Sequence, residues 1–212
     1  MKEHIVKYYL PVFGITLAAI LPALAKNYEN ENFKILVLIL ICISIILTII
    51  IGTIYKKIEN KILSKYKKRK LKNKTFEDFK SRGFKEFGDC IIARIEGYLI
   101  LMSPEKNFIS GEKWVEIRIL FNPKISSMFI PQYVFEKLMK HKKSNFTWHT
   151  NMLTIKKKYG LKIPRYEKLY TLIKEGVSKL KENNIESISY DKWKELTEEN
   201  IIYQKQTESL YS

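Results

Sequence analysis

The sequence predicts an N-terminal two-helix transmembrane hairpin followed by a cytosolic α+β domain, an antiparallel sheet packed with two or three helices. Three observations predict it. Two apolar runs, Tyr8–Ala25 and Ile35–Tyr55, contain no charged residue. A dense basic stretch, residues 56–74, follows the second run at once. Beyond it, apolar residues alternate with period two in some segments and recur at helical spacing in others. The expected organisation is a hairpin over 1–55 with helices near 8–25 and 35–55, a basic juxtamembrane neck over 56–74, the α+β domain over 75–203 and a frayed polar tail over 204–212.

The run Ile35–Tyr55 has 21 residues, enough to cross a hydrocarbon core of about 30 Å as a helix. Each Leu, Ile or Val contributes about −0.3 to −0.6 kcal/mol to insertion at the helix centre, which outweighs Ser44, Thr48, Gly52 and Thr53. The first run is at the short end of the spanning range. Its Pro11, Gly14 and Pro22 are tolerated better in membrane helices than in soluble ones. Tyr8, Tyr9 and Tyr28 stand where interfacial aromatics belong. Residues 1–25 also admit a second reading, a cleaved secretory signal with a basic start and Ala23-Leu24-Ala25 as its cleavage site. Both readings send the second helix from outside to inside, so both place the C-terminal part in the cytosol.

Charge asymmetry supplies the direction. The loop 26–34 is neutral, whereas 56–74 carries ten Lys/Arg and one Glu. Basic residues stay on the cytoplasmic side, which predicts an N-in, C-in multi-pass protein of a bacterial cytoplasmic membrane. Neither run contains Asp, Glu, Lys, Arg or His, so the usual sign of an ion path is missing. Small residues recur every four positions, Gly14, Ala18 and Pro22 on the first run and Ser44, Thr48 and Gly52 on the second. Small residues let helices approach closely in lipid, so these stripes are candidates for the hairpin seam or a homo-oligomer contact; the bland alternative is incidental small residues.

Lys56, Lys57, Lys61, Lys65, Lys67, Lys68, Arg69 and Lys70 are candidates for contact with an anionic inner leaflet, at about 1 kcal/mol each near the surface. The plainer reading is a topology signal without a ligand. Ile54, Ile58, Ile62 and Tyr66 keep helical spacing, so the second helix is expected to continue past the membrane. Five of the 38 basic residues are Arg, and no aromatic residues interleave with the basic ones in a groove-reading pattern. Nucleic acid is therefore not an expected partner.

In the domain, Thr75 is the expected N-cap of a short helix with Phe76, Phe79 and Phe84 facing inward. Cys90–Ile95 and Tyr98–Met102 read as strands joined by Glu96-Gly97, a hairpin signal. Val115, Ile117, Ile119 and Phe121 alternate with Trp114, Glu116 and Arg118, the pattern of a half-buried strand. Glu116, on the solvent side, is expected to pair with a nearby cation. Pro131 opens a helix to about Lys143. Residues 146–159 read as a strand bent near Thr150-Asn151, or a hairpin. Pro164 opens the longest soluble helix, to about Asn184, and a short last helix follows Ser189.

No chemistry stands out. His4, His141 and His149 lack metal-ligand spacing, and Cys42 and Cys90 lie in different segments, so no disulfide is expected. No glycine-rich phosphate loop is present. Catalytic residues, metal ligands and cofactors are thus not assigned, and no enzyme is expected. Trp114 and the cluster Lys156, Lys157 and Lys158 are the candidates for partner contact; a solvated strand edge is the plainer account of the lysines. The expected function is a membrane-anchored module that binds a protein partner or regulates at the inner leaflet, an immunity-type role included. The alternative is a small effector whose domain senses a ligand while oligomerised hairpins perturb the bilayer.

Overall fold

The computed structural model describes residues 5–26, 33–108, 110–139 and 146–211. His4, Tyr28 and His141 lie outside these residues. The chain divides into two compact units, Met1–Ser64 and Lys65–Ser212.

In the first unit a π-helical turn, Ile5–Tyr9, leads into α1, Leu10–Lys26. Helix α2, Phe33–Lys70, has 38 residues, and the division between units falls inside it. The continuous stretch Ile5–Lys26, the turn together with α1, and helix α2 are each long and apolar enough to cross a membrane by length and composition. The apolar spacing of Ile54, Ile58, Ile62 and Tyr66 keeps α2 helical beyond Tyr55, to a length of about 57 Å at 1.5 Å per residue.

The second unit opens with α3, Lys74–Lys80. Its N-cap is Asn73 and not Thr75: the Asn73 side-chain oxygen accepts from the Thr75 N–H, and Thr75 itself is buried in the first turn. Strands β1 (Lys85–Phe87), β2 (Cys90–Ile95), β3 (Tyr98–Lys106) and β4 (Lys113–Leu120) follow. Glu96 and Gly97 both have positive φ, 52° and 89°, which suits the tight β2–β3 hairpin. A small ribbon, β5 (Lys124–Ile125) with β6 (Met128–Phe129), precedes α4, Gln132–Met139. The side chains of Leu138 and Met139 lie outside the described residues.

Residues 146–159 form a hairpin, β7 (Phe146–Trp148) and β8 (Met152–Tyr159), turning at His149–Asn151. The six-stranded sheet is antiparallel throughout, in the order β1-β2-β3-β4-β8-β7. Helix α5, Tyr166–Glu182, lies over β4 and β8 and buries Leu169, Ile173, Val177 and Leu180. Against it the sheet offers Val115, Ile117, Ile119, Leu153 and Ile155, all fully buried. Phe76 and Phe79 of α3 join the same core, and Phe121, Phe135 and Trp148 make an aromatic cluster beside it.

Helix α6, Tyr190–Tyr211, is the main difference from expectation. The sequence suggests a short helix and a frayed end from Gln204, yet the helix runs on to Tyr211. Its polar side chains are bonded to the rest of the domain. The Trp193 indole donates to the Asn151 carbonyl, Asn200 donates to Thr150, and the Gln204 amide accepts from the Gln132 N–H while donating to the Ile130 carbonyl. Amide side chains used this way read as a solvated tail in sequence.

Gly176 is where α5 comes closest to the sheet. A Cβ there would stand 2.5 Å from Ile119 Cδ1 and 3.1 Å from Ile155 Cδ1. Gly176→Val is expected to destabilise the domain by about 1–3 kcal/mol through overpacking. All three tryptophans lie in the second unit, so denaturation followed by tryptophan fluorescence reads that unit alone. An unchanged midpoint would contradict the close packing.

Candidate functional site

Within the first unit, α1 and α2 meet through polar groups. Thr16 Oγ1 lies 2.7 Å from Ser44 Oγ and 3.3 Å from Thr48 Oγ1, and the Tyr9 hydroxyl lies 3.3 Å from Thr53 Oγ1. Tyr8 packs edge-on against Tyr55, and Lys7 Nζ reaches Glu59 at 2.6 Å. Ser44, Thr48 and Gly52 are buried at this contact, Ser44 completely. A Cβ at Gly52 would stand 2.6 Å from the Tyr9 ring, so only glycine admits that ring. As members of the hairpin seam, Gly14 and Ala18 are a correction: both are exposed, and Gly14 has nothing within 4 Å of an added Cβ. The side of α1 that meets α2 carries hydroxyls able to bond Ser44, Thr48 and Thr53, and the stripe of small residues points elsewhere.

The eight neck residues from Lys56 to Lys70 singled out as leaflet contacts all belong to α2. Lys57, Lys61, Lys65, Lys68 and Arg69 are exposed; Lys56 and Lys70 are half-buried, and Lys70 sits over the Tyr66 ring. Lys67 is a second correction. Its ammonium lies 2.6 Å from Glu105 Oε1 with its side chain 15% exposed, so it is spent inside the domain and is not free for a lipid headgroup.

Glu105, itself buried, lies on the face of the sheet turned away from α5. Register puts Glu105 opposite Trp114, Ser103 opposite Glu116, Trp114 opposite Lys158, and Glu116 opposite Lys156. Alternation therefore gathers Trp114, Lys156 and Lys158 on one face and sends Lys157 to the other, where it is half-buried. Lys156 Nζ stands 5.8 Å from the Trp114 ring centre, and Lys158 pairs with Glu112 at 2.6 Å. Lys156–Tyr159 extends past the short β7, whose register covers Leu153, Thr154 and Ile155.

Two carboxylates that the sequence left unassigned or only loosely placed organise this face. Ser103 Oγ donates to Glu105 Oε1 at 2.7 Å, beside the Lys67 contact. Arg118 donates to Glu116 Oε1 through Nε at 2.7 Å and Nη2 at 2.6 Å, and the Trp114 indole N–H donates to Oε2 at 3.3 Å. Burial pushes the Glu116 carboxyl up, but Arg118, the indole and Lys156 outweigh it and hold the group below its ordinary 4.5. Burial raises the Cys90 thiol and keeps it protonated, the opposite of an activated nucleophile. His149 is lowered, first by burial and then by Lys156, and is neutral near pH 7. The face thus presents an indole bonded to Glu116 with Lys156 and Lys158 beside it. The Lys67–Glu105 pair joins residues 38 positions apart and leaves no trace in local periodicity.

Lys67→Met strands Glu105 without its counter-charge and is expected to cost about 3 kcal/mol. Adding Glu105→Gln should recover part of that loss; strictly additive effects in the denaturation midpoints would refute the coupling. Glu116, depressed in the folded state, contributes stability that is full above its ordinary 4.5 and fades as pH falls through its folded value. The acid limb of stability below about pH 4.5 should therefore shrink in Glu116→Gln, as read by thermal unfolding across pH 2–6.

No protein-family model, curated protein or solved structure matches this chain.

Proposed function

We propose that the chain is a two-span membrane protein, N-in and C-in, whose cytosolic α+β domain binds a protein partner at the inner leaflet through the Trp114–Lys156–Lys158 face. The observation that carries the membrane part is an inside-out distribution of polarity. Thr16 of α1 bonds Ser44 and Thr48 of α2, while Leu38, Ile46 and Ile50 turn outward, 66%, 57% and 50% exposed. Water as solvent selects the reverse arrangement. Hydrocarbon gives apolar side chains no reason to hide and rewards hydroxyls that bond each other. The basic residues after Tyr55 support the cytosolic side for the domain.

The partner reading rests on the sheet face. An indole tethered by Glu116 is a rigid, amphipathic anchor of the kind enriched at interface centres, and a surrounding rim of lysines adds steering toward an acidic surface. The chain is expected to resist alkaline carbonate extraction, and a C-terminal fluorescent-protein fusion is expected to fluoresce while a C-terminal alkaline phosphatase fusion stays inactive. A photo-crosslinking residue at Trp114 should give a discrete heterologous adduct that the same probe at Leu161, 96% exposed, does not. Extraction into the soluble fraction would remove the membrane reading, and identical patterns at both positions would remove the partner face.

A further inference from the structure

The loop between β8 and α5, residues 160–165, carries Leu161 at its apex. Leu161 is 96% exposed, more than any other large apolar side chain among the described residues, those of α2 included. Anchors on both sides hold it there. Tyr159 before the apex meets the Tyr66 hydroxyl at 2.9 Å, and Ile163 after it packs against the core. The surroundings are cationic: residues 156–165 contain five Lys/Arg and no Asp or Glu. Lys162 and Arg165 flank the apex and are exposed. The β3–β4 hairpin ends on the same side of the sheet, because Lys113 stands opposite both Tyr159 and Lys106. Like charges opposite each other in a ladder repel. Among the described residues, none of Lys106, Lys113, Lys162 and Arg165 has a carboxylate at ion-pair distance.

The bond to Tyr66 says what lies near this loop. Along α2, Ile54, Ile58 and Ile62 stay exposed on one stripe, with Lys57, Lys61 and Lys65 exposed beside it. Tyr66 is the next member of the stripe and is buried. It stands about 16 Å along the helix from Tyr55, where the uncharged run ends. The loop is therefore tied to the point at which the amphipathic stripe of α2 stops being exposed. We propose that Leu161 and its flanking cations are a second contact with the membrane, an apolar tip set among anionic phospholipid headgroups. The proposal rests on the reading of α2 as a span with the domain on the cytosolic side. An anionic leaflet supplies both things the loop lacks: counter-charge for cations without carboxylates and an apolar layer for an exposed leucine. The span in the same chain keeps that leaflet beside the loop at high effective concentration, an advantage no soluble partner has.

The test uses the full chain with Cys42→Ala and Cys90→Ala, labelled with nitrobenzoxadiazole at Leu161→Cys. A second preparation carries the label at Glu182→Cys, exposed at the far end of α5. Both are placed in nanodiscs of phosphatidylcholine and phosphatidylglycerol that contain a doxyl-labelled lipid. The label at 161 is expected to shift to the blue and to be quenched about twofold or more above the label at 182. Lys162→Gln combined with Arg165→Gln should remove most of that difference, and so should discs of phosphatidylcholine alone. Co-elution with the discs reads the membrane span separately, and a chain that does not co-elute removes the span and the loop contact together. In a chain that does co-elute, equal quenching at 161 and 182 overturns the loop contact alone. Quenching that ignores both the charge changes and the lipid charge overturns it too. A blue shift without lipid quenching assigns Leu161 to a protein surface and likewise overturns the proposal.

Discussion

The alternation of β4 sends Val115, Ile117 and Ile119 under α5 and Trp114, Glu116 and Arg118 to the opposite face. A slip of one residue against β3 or β8 would exchange the two sets, burying a carboxylate and a guanidinium in the core. The register is held from both sides. On the core side, Gly176 lets α5 settle against Ile119 and Ile155 with no room for a side chain. On the other, Glu116 needs Arg118 and the Trp114 indole at the same level of the sheet. The domain and its candidate contact face are consequences of one strand having a single workable register.

The first unit obeys a different constraint. Its helices meet through hydroxyls and a glycine while their isoleucines and leucines face outward. A seam of this kind has little strength in water, where hydroxyls bond solvent equally well, and gains it where no solvent hydrogen bonds are on offer. The Lys7–Glu59 pair and the Tyr8–Tyr55 contact close the end of the seam next to the basic stretch. The alternation of small residues on α1 misleads because steric permission to approach is weaker here than hydrogen bonding: Tyr9 and Thr16 choose the face, and Gly14 and Ala18 are left out of it.

Charge shows the same division between local pattern and tertiary use. Lys67 and Lys68 are indistinguishable in sequence, yet helical phase turns Lys67 to Glu105 and leaves Lys68 exposed. Lys156, Lys157 and Lys158 form one cluster on paper and two faces in the sheet. No count of basic residues distinguishes those that pair inside the fold from those that stay exposed.

The sequence by itself determined whatever repeats locally: two uncharged runs, the helical spacing that carries α2 past Tyr55, the alternation of β4, the Glu96-Gly97 turn and the apolar stripe of α5. These follow from the periods of helix and strand and from the hydrophobicity of single residues. Elements too short to show a period, β1 and the β5–β6 ribbon, were not legible, and neither was the full length of α6, whose amides bond distant loops. Tertiary structure alone decided the partners of Glu105, the side of α1 that meets α2 and the division of Lys156, Lys157 and Lys158 between two faces. Those choices depend on distances between residues far apart in the chain, and a periodic signal carries no information about them.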